Sequence, residues 1–398
     1  MEINKNESAA IKALTDYLSL LQLKYDCETV CSLIHPLKHD GIAAFGMMPY
    51  ISLTTVSILE ILALNESEVI QIPNTLQIKD VRLKLKLFED GYSKSKKMIL
   101  NTDFLQDQVY KNMLKFKFMR NWNIHQNLGI YTDTNKRVIG NTQYNYYLLQ
   151  DNRLLKKSIA EVAEAYSISP DKFDLNKQAN KELYEYGYKC GQIIGSIRSE
   201  LKSFDVPVSI AAKGNPVDYY YADYNTNIKS SFFPTGEDSK ATVLYLLHML
   251  STINFLIYIL NNYEKDDYGW WLKVNYITYY YTIHKLSDLQ QHLIQNRLIT
   301  PDIADYFDRI GLQHPKYMNG AFRNYVMHSK LIDKDGNIMI HPFYLDKSKP
   351  LFGLVESCFD GISYQELKLS IITEMTRISD VLSCWLGIQS LQVKPLKP

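Results

Sequence analysis

A pattern suited to phosphate chemistry occurs twice in this sequence. Arginine, asparagine and, four residues after the asparagine, histidine appear at residues 120–125 and again at 323–328, 203 residues later. Imidazole is the side chain whose proton moves near neutral pH, and guanidinium is the permanent cation that best pairs with phosphate oxygens. An amide beside them can hold either group in place. The candidate catalytic residues are therefore Arg120, Asn121, His125, Arg323, Asn324 and His328.

The spacing within each copy favours one face of a helix. Asn324 and His328 are four residues apart, so on a helix they project from the same side. Arg323 lies about 140° around the helix from His328 at 100° per residue, but its long side chain can reach over. Residues 120–125 repeat this geometry.

Arginine and histidine without a cluster of carboxylates suit phosphodiester cleavage that needs no metal. In such a reaction a ribose 2′-hydroxyl is the nucleophile. One histidine takes its proton, a second protonates the leaving 5′-oxygen, and the arginines stabilise charge on the phosphoryl group. The reaction needs two histidines at one phosphate, and two motifs in one chain supply two.

Basic and aromatic residues surround the motifs and are candidates for RNA binding. They are Lys115, Lys117, Trp122 and Lys330. Lysines interleaved with aromatic side chains suit a phosphate backbone with unstacked bases nearby. The alternative is an ordinary amphipathic helix with solvated lysines and a buried aromatic face.

Arg-Asn-x-x-x-His at the end of a helix resembles the signature of the HEPN superfamily of small helical domains. Many HEPN proteins are metal-independent endoribonucleases of toxin–antitoxin, abortive-infection and CRISPR systems. Two such domains pair, in two chains or in one, so that both motifs line one cleft. The resemblance implies Arg120 and His125 facing Arg323 and His328 across a pseudo-twofold axis, with Asn121 and Asn324 as the polar second position. It covers roughly ten residues per copy, and the chain lacks recognisable guide-binding or sensor regions.

The bulk composition is that of an ordinary globular protein. The chain has 398 residues, of which 46% are hydrophobic and 22% are charged. Its formal net charge of +1 argues against a generally basic, non-specific nucleic-acid binder but allows a local basic groove. Five cysteines without framework spacing, and no visible secretory signal, indicate a cytoplasmic protein. Two apolar stretches, 41–64 and 243–260, carry polar residues typical of buried bundle helices, so we expect no membrane insertion.

The length and the repeated motif predict an all-α protein of two HEPN-like helical bundles packed as a pseudo-dimer. We place an N-terminal domain at 1–205, a linker at 206–238 and a C-terminal domain at 239–398. Proline and glycine break regular helix in the linker. Its tyrosines, 219–221, could stack on bases or form an ordered segment packed on either domain.

Apolar periodicity and capping residues predict the individual helices. They are expected at 7–34, 52–63, 76–99, 105–126, 153–166, 176–203, 239–262, 268–296, after Thr300, at 316–331 and at 363–387. Short extended segments are expected at 137–140 and 338–340, each after a polar turn. No long alternating run predicts a large sheet.

No cofactor and no metal is expected. Cys27, Cys31, His35 and His39 recur every four residues, but a zinc site would need the chain to fold back after Pro36, and the alternative is a cysteine stripe in the core. The sequence has no glycine-rich phosphate loop and no HExxH or CxxC pair. His248, His284, His292, His314 and His341 are assigned no role.

The leading hypothesis is an endoribonuclease that cleaves single-stranded or loop RNA in antiphage defence, abortive infection or toxin action. Its partners would be the RNA substrate and an antitoxin or activator, and a homodimer stays open. A rival hypothesis is a non-catalytic helical module that binds RNA or a protein. A third is a structural bundle in which both motifs are hydrogen-bonded helix ends.

Overall fold

Helices account for most of the chain described by the computed structural model. The described residues are 5–37, 40–66, 77–88, 90–113, 127–148, 175–206, 217–263, 268–333 and 335–396. The mainly helical class predicted from the sequence is confirmed for them. A four-stranded antiparallel sheet accompanies the helices, so the stricter all-α expectation is wrong.

The α-helices run, in chain order, α1 (Lys5–Leu37), α2 (Gly41–Ile61), α3 (Ile78–Leu83), α4 (Tyr92–Met113), α5 (Tyr144–Leu148), α6 (Leu175–Glu200), α7 (Glu237–Asn254), α8 (Trp270–Gln295), α9 (Pro301–Ile310), α10 (Gly320–His328), α11 (Leu354–Cys358) and α12 (Tyr364–Trp385). A π turn, Phe255–Ile259, and a 3-10 turn, Leu260–Asn262, extend α7. Further 3-10 turns are Lys84–Lys86, Leu201–Ser203, Pro350–Gly353 and Ile388–Ser390.

The second helix is longer than the sequence predicted. It begins after Asp40, whose side chain accepts a hydrogen bond from the Ala43 amide at 2.9 Å and so satisfies one of the unpaired donors of the first turn. It passes through Pro49 and ends at Ile61, with Glu60 in its last turn. Most of its residues are buried, as the run of apolar and small side chains requires.

The helix expected at 76–99 is interrupted, and that prediction is wrong. After α3 and the turn Lys84–Lys86, Leu87 adopts a left-handed conformation with φ 62°. The turn buries Leu87 and Phe88, and the Phe88 ring packs 4.3 Å from that of Tyr245 on α7. Burial of these two side chains offsets the unfavourable φ angle, and α4 then begins at Tyr92.

The sheet joins segments that are distant in sequence. Its strands are β1 (Asn127–Thr132), β2 (Val138–Asn141), β3 (Tyr220–Asn225) and β4 (Lys394–Pro395), in the order β2-β1-β3-β4. Ile130 of β1 pairs with Asn141 on one side and Ala222 on the other. The sequence predicted an extended segment at 137–140, and β2 confirms it, but β1 and β3 were missed.

Strand β3 lies inside the stretch predicted as a linker, 206–238. Tyr220 and Tyr221 pair with Thr132 and Tyr131 of β1, and the Tyr219 hydroxyl donates to the Asp40 carboxylate. These tyrosines therefore belong to an ordered segment. That was one of the two alternatives for them, the other being stacking on bases.

The core is continuous across both halves of the sequence. Leu18 of α1, Leu53 of α2, Leu247 of α7 and Ile277 of α8 belong to one cluster of buried apolar side chains. Helices α7 and α8 contribute much of this core, and both are buried along most of their length. The division into domains at 1–205 and 239–398 stays a prediction.

Two of the described helical segments are long and apolar enough to cross a membrane. They are Gly41–Ile61 and Glu237–Asn262, and 78% and 83% of their most apolar windows is buried inside the structure. The core helix of a globular protein meets the same criteria of length and composition.

Candidate active site

The second motif lies on a short helix that aromatic packing holds in place. Helix α10 begins at Asn319, whose side chain accepts from the Phe322 amide at 2.9 Å, and it is shorter than the predicted 316–331. Phe322, Tyr325 and Val326 are buried at the three- and four-residue spacing of one helix face. Asn324 and His328 are exposed, as expected for neighbours on the opposite face.

His328 contacts a carboxylate on another helix. Its Nδ1 lies 3.1 Å from Oε2 of Glu60, near the end of α2, and the histidine side chain is 46% exposed. An ionised carboxylate can only accept a hydrogen bond, so Nδ1 carries the proton at this contact. In the neutral ring, Nε2 is then the nitrogen with a free lone pair, and it is the one able to act as a base.

Glu60 also binds Arg82 of α3. The Arg82 Nη1 donates to Oε1 of Glu60 at 3.1 Å and to the Met327 carbonyl at 2.9 Å, so it caps the last turn of α10 as well. Partial burial by itself would raise the pKa of Glu60, but the hydrogen bonds and charges of His328 and Arg82 outweigh it and hold that pKa below its usual range. The carboxylate is therefore an anion at neutral pH and fixes the orientation of the imidazole.

Arg323 points to a different neighbour, the tyrosines of α8. Its Cζ lies 5.6 Å from the Tyr280 ring centroid and 5.9 Å from that of Tyr281, and its Nη1 donates to the Asn324 side chain at 2.6 Å. No carboxylate in the described part of the chain forms an ion pair with it. Burial raises the pKa of Tyr281, whereas the positive charges of Arg323 and Arg82 oppose that shift, which places this ring within the field of both arginines.

A buried polar network lies beneath the histidine. Ser329 ends α10 in a left-handed conformation, and its hydroxyl is 2.8 Å from that of Ser57. The Lys273 ammonium of α8 lies 3.5 Å from the Ser329 hydroxyl and 2.5 Å from the carboxylate of Asp26, and the side chains of both charged residues are only 1% exposed. Such a fully buried ion pair demands a fixed geometry, and it anchors the C-terminal end of α10 to α1, α2 and α8.

The structure describes four of the ten residues predicted for the site. Arg323, Asn324 and His328 share α10, and the Asn324 side chain accepts a hydrogen bond from Arg323 and not from His328 among the described contacts. Lys330 is exposed two residues after His328. The other predicted residues, Arg120, Asn121, His125, Lys115, Lys117 and Trp122, lie outside the described residues.

Sequence analysis missed Glu60 and Arg82. Glu60 had a detectable signal, because it is the only charged residue between Gly41 and Ile61. A charge that interrupts an apolar helix is usually paired or functional, since burying it alone is costly. Arg82 had no such signal, because it lies among the lysines of an ordinary basic stretch.

The cysteine and histidine series near the end of α1 does not converge within the described residues. Cys27, Cys31 and His35 follow one another along a helix that continues to Leu37, and Cys27 is fully buried. His39 lies outside the described residues. Where the structure is described, no group of three or more histidine, cysteine, aspartate or glutamate side chains is arranged to hold a metal ion.

No protein family, curated protein or solved structure matches this chain. The resemblance to the HEPN superfamily thus depends on the motif residues.

Proposed function

We propose that the protein is a metal-independent endoribonuclease of the HEPN type that cleaves single-stranded or loop RNA. The observation that carries the proposal is the arrangement at the end of α10. An exposed histidine is oriented by a carboxylate, and an arginine without a carboxylate partner in the described part of the chain lies on the same helix. These are the base and the phosphate-binding cation that such a cleavage requires.

His328 serves as the general base. With Nδ1 donating to Glu60, Nε2 accepts the proton of the ribose 2′-hydroxyl. The 2′-oxygen forms a bond to phosphorus as the bond from phosphorus to the 5′-oxygen breaks, and the product carries a 2′,3′-cyclic phosphate. Glu60 stabilises the imidazolium that forms, because it stays ionised at neutral pH.

Arg323 binds the phosphoryl oxygens, on which negative charge accumulates in the transition state. A guanidinium that is not neutralised by a carboxylate keeps its full attraction for phosphate, and cation–π contacts with the rings of Tyr280 and Tyr281 hold it in position. Lys330, exposed near the end of the same helix, adds positive charge for the RNA backbone.

The second proton-transfer group is assigned to the first motif. In this proposal Arg120, Asn121 and His125 pair with the described motif across a composite cleft, and His125 protonates the leaving 5′-oxygen. Lys115, Lys117 and Trp122 then contact the same RNA strand. The repetition of the motif in one chain supports this, and the biological role proposed with it is cytoplasmic defence or growth arrest controlled by an antitoxin or activator.

The test is cleavage of RNA in excess EDTA by the purified full-length chain and three variants, His328→Ala, His125→Ala and the exposed control His314→Ala. We expect wild type and the control to release 2′,3′-cyclic phosphate ends, and His328→Ala and His125→Ala each to lose about 10²- to 10⁴-fold in rate. The unfolding free energy of His328→Ala should change by less than about 1 kcal/mol, because its contact with Glu60 is half exposed.

Other outcomes of this experiment contradict the proposal. Activity retained in both single variants refutes the shared cleft. RNA binding without cleavage, weakened by the same substitutions, supports the non-catalytic binding module instead. A large loss of stability in His328→Ala, with no effect on RNA, supports the structural bundle.

A further inference from the structure

We infer that His284 and Tyr280 form a nucleobase-binding subsite beside Arg323, which takes an unstacked base next to the phosphate to be cleaved. The inference rests on the proposed function and specifies the substrate, a single strand with an accessible base. Neither residue belongs to the repeated motif.

His284 is the exposed position of an otherwise buried segment. All residues from Gly269 to Leu286 are buried except His284, and this range covers the first two-thirds of α8. The helix therefore reaches the surface at this point, and it presents an imidazole there. An exposed ring on a rigid, buried helix can meet a ligand with little loss of conformational entropy.

Tyr280 connects His284 with Arg323. The His284 and Tyr280 ring centroids are 4.5 Å apart with an interplanar angle of 54°, and the Arg323 Cζ is 5.6 Å from the same Tyr280 ring. Tyr280 is only 9% exposed, so it supports both groups from below. An imidazole and a guanidinium supported by one ring form a small platform with a stacking surface and a phosphate-binding cation.

The charges around His284 favour a neutral ring. Burial lowers its pKa, and the charges of Arg323 and Lys285 act in the same direction, opposed by Asp288. A neutral imidazole is less hydrated than an imidazolium and is better suited to stack on a base. The phosphate of that nucleotide would then meet the guanidinium of Arg323, which the Tyr280 ring and the hydrogen bond from Nη1 to the Asn324 side chain hold beside His284.

A cation paired with a stacking ring selects single strands over duplex. In a duplex, bases are stacked on one another and cannot reach a side-chain platform, whereas bases in loops and single strands can turn outward. The subsite thus explains in physical terms why loop or single-stranded RNA, and not helical RNA, would be the substrate.

Binding of a non-cleavable oligonucleotide tests this separately from catalysis. The probe is a fluorescent single-stranded RNA 10-mer with 2′-O-methyl groups, titrated with the full-length chain. We expect His284→Ala to weaken binding roughly 5- to 100-fold, because one stacked base is lost. His284→Phe, which keeps a flat ring, should stay within about threefold of wild type, as should the control His314→Ala.

The subsite is refuted if His284→Ala binds like wild type, if His284→Phe loses as much as His284→Ala, or if the wild type does not bind the probe. Binding that depends on His284 in a chain that cleaves no RNA would refute the nuclease proposal and retain the subsite. If the wild type cleaves RNA and His284→Ala binds the probe as tightly as the wild type, the subsite is refuted and the nuclease proposal is retained.

Discussion

His328 and His248 show how the same side chain on two helices acquires opposite properties. His328, at the end of α10, is 46% exposed and contacts Glu60. His248, inside α7, is surrounded by the rings of Phe88, Tyr144 and Tyr147, and its Nε2 has no hydrogen-bond partner among the described residues. Burial, with a smaller contribution from the charge of Lys84, lowers the pKa of His248 to about 3.

The difference separates an exposed histidine that contacts a carboxylate from a buried histidine that contacts aromatic rings. His248 stays neutral across the physiological range and faces aromatic rings, so its contribution is to packing. His328 contacts a carboxylate, which would stabilise its charged form, and its side chain is open to solvent. A histidine becomes useful for catalysis through its neighbours and its exposure, and both can be tested by substitution.

Among the substitutions that test this difference between His328 and His248, Glu60→Gln is expected to have the largest effect. The amide keeps the shape of the carboxylate but cannot stabilise the imidazolium of His328, so we expect kcat for RNA cleavage to fall roughly 10- to 100-fold with little change in KM. Steady-state cleavage of a single-stranded RNA measures both constants.

The matched control for that experiment is Glu374→Gln. Glu374 of α12 is similarly shielded, with 17% of its side chain exposed against 20% for Glu60, and it pairs with Arg377, which donates to the Ile310 carbonyl. We expect a similar small loss of stability and unchanged cleavage. Equal losses of activity in the two variants would show that Glu60 acts only through folding.

The next effect concerns His248 and the stability of the protein in mild acid. The unfolded imidazole titrates near 6.5 and the folded one near 3, so between these values the unfolded state binds one more proton. The free energy of unfolding therefore decreases as the pH falls, by at most about 1.4 kcal/mol per pH unit, or about 2 kcal/mol between pH 7.5 and 5.

His248→Phe should remove that part of the pH dependence and leave RNA cleavage unchanged. Urea unfolding of wild type and variant at pH 7.5 and pH 5 measures it, and the difference between the two proteins isolates this residue from other titrating groups. An identical pH dependence in both proteins would show that folding does not lower the pKa of His248.

The smallest effect is expected from Lys330→Ala. This exposed lysine lies two residues after His328, and under the proposed function loss of one phosphate contact should weaken binding of single-stranded RNA about 2- to 5-fold at low salt. The slope of log K against log salt should decrease by about 0.7. Lys202→Ala, an exposed lysine in the turn after α6, is the control, and the interpretation of Lys330 fails if both variants behave alike.

Local patterns in the sequence determined the helices near the site and the grouping on α10. Three- and four-residue apolar spacing predicted α1, α8 and α12 within a few residues, because a helix that packs on a core must bury one stripe. The spacing of Arg323, Asn324 and His328 required no tertiary information to place them on one helix.

The partners of those residues were decided by the tertiary structure alone. Glu60 lies 268 residues from His328 in sequence, and no local periodicity can relate them; the packing of α2 against α10 does. Strands β1 and β3 were missed for the same reason, because they become strands only by pairing with each other, as Ile130 does with Ala222. The sequence by itself determined which groups could do chemistry, and the packing of the chain decided which histidine is oriented by a carboxylate and which is enclosed by aromatic rings.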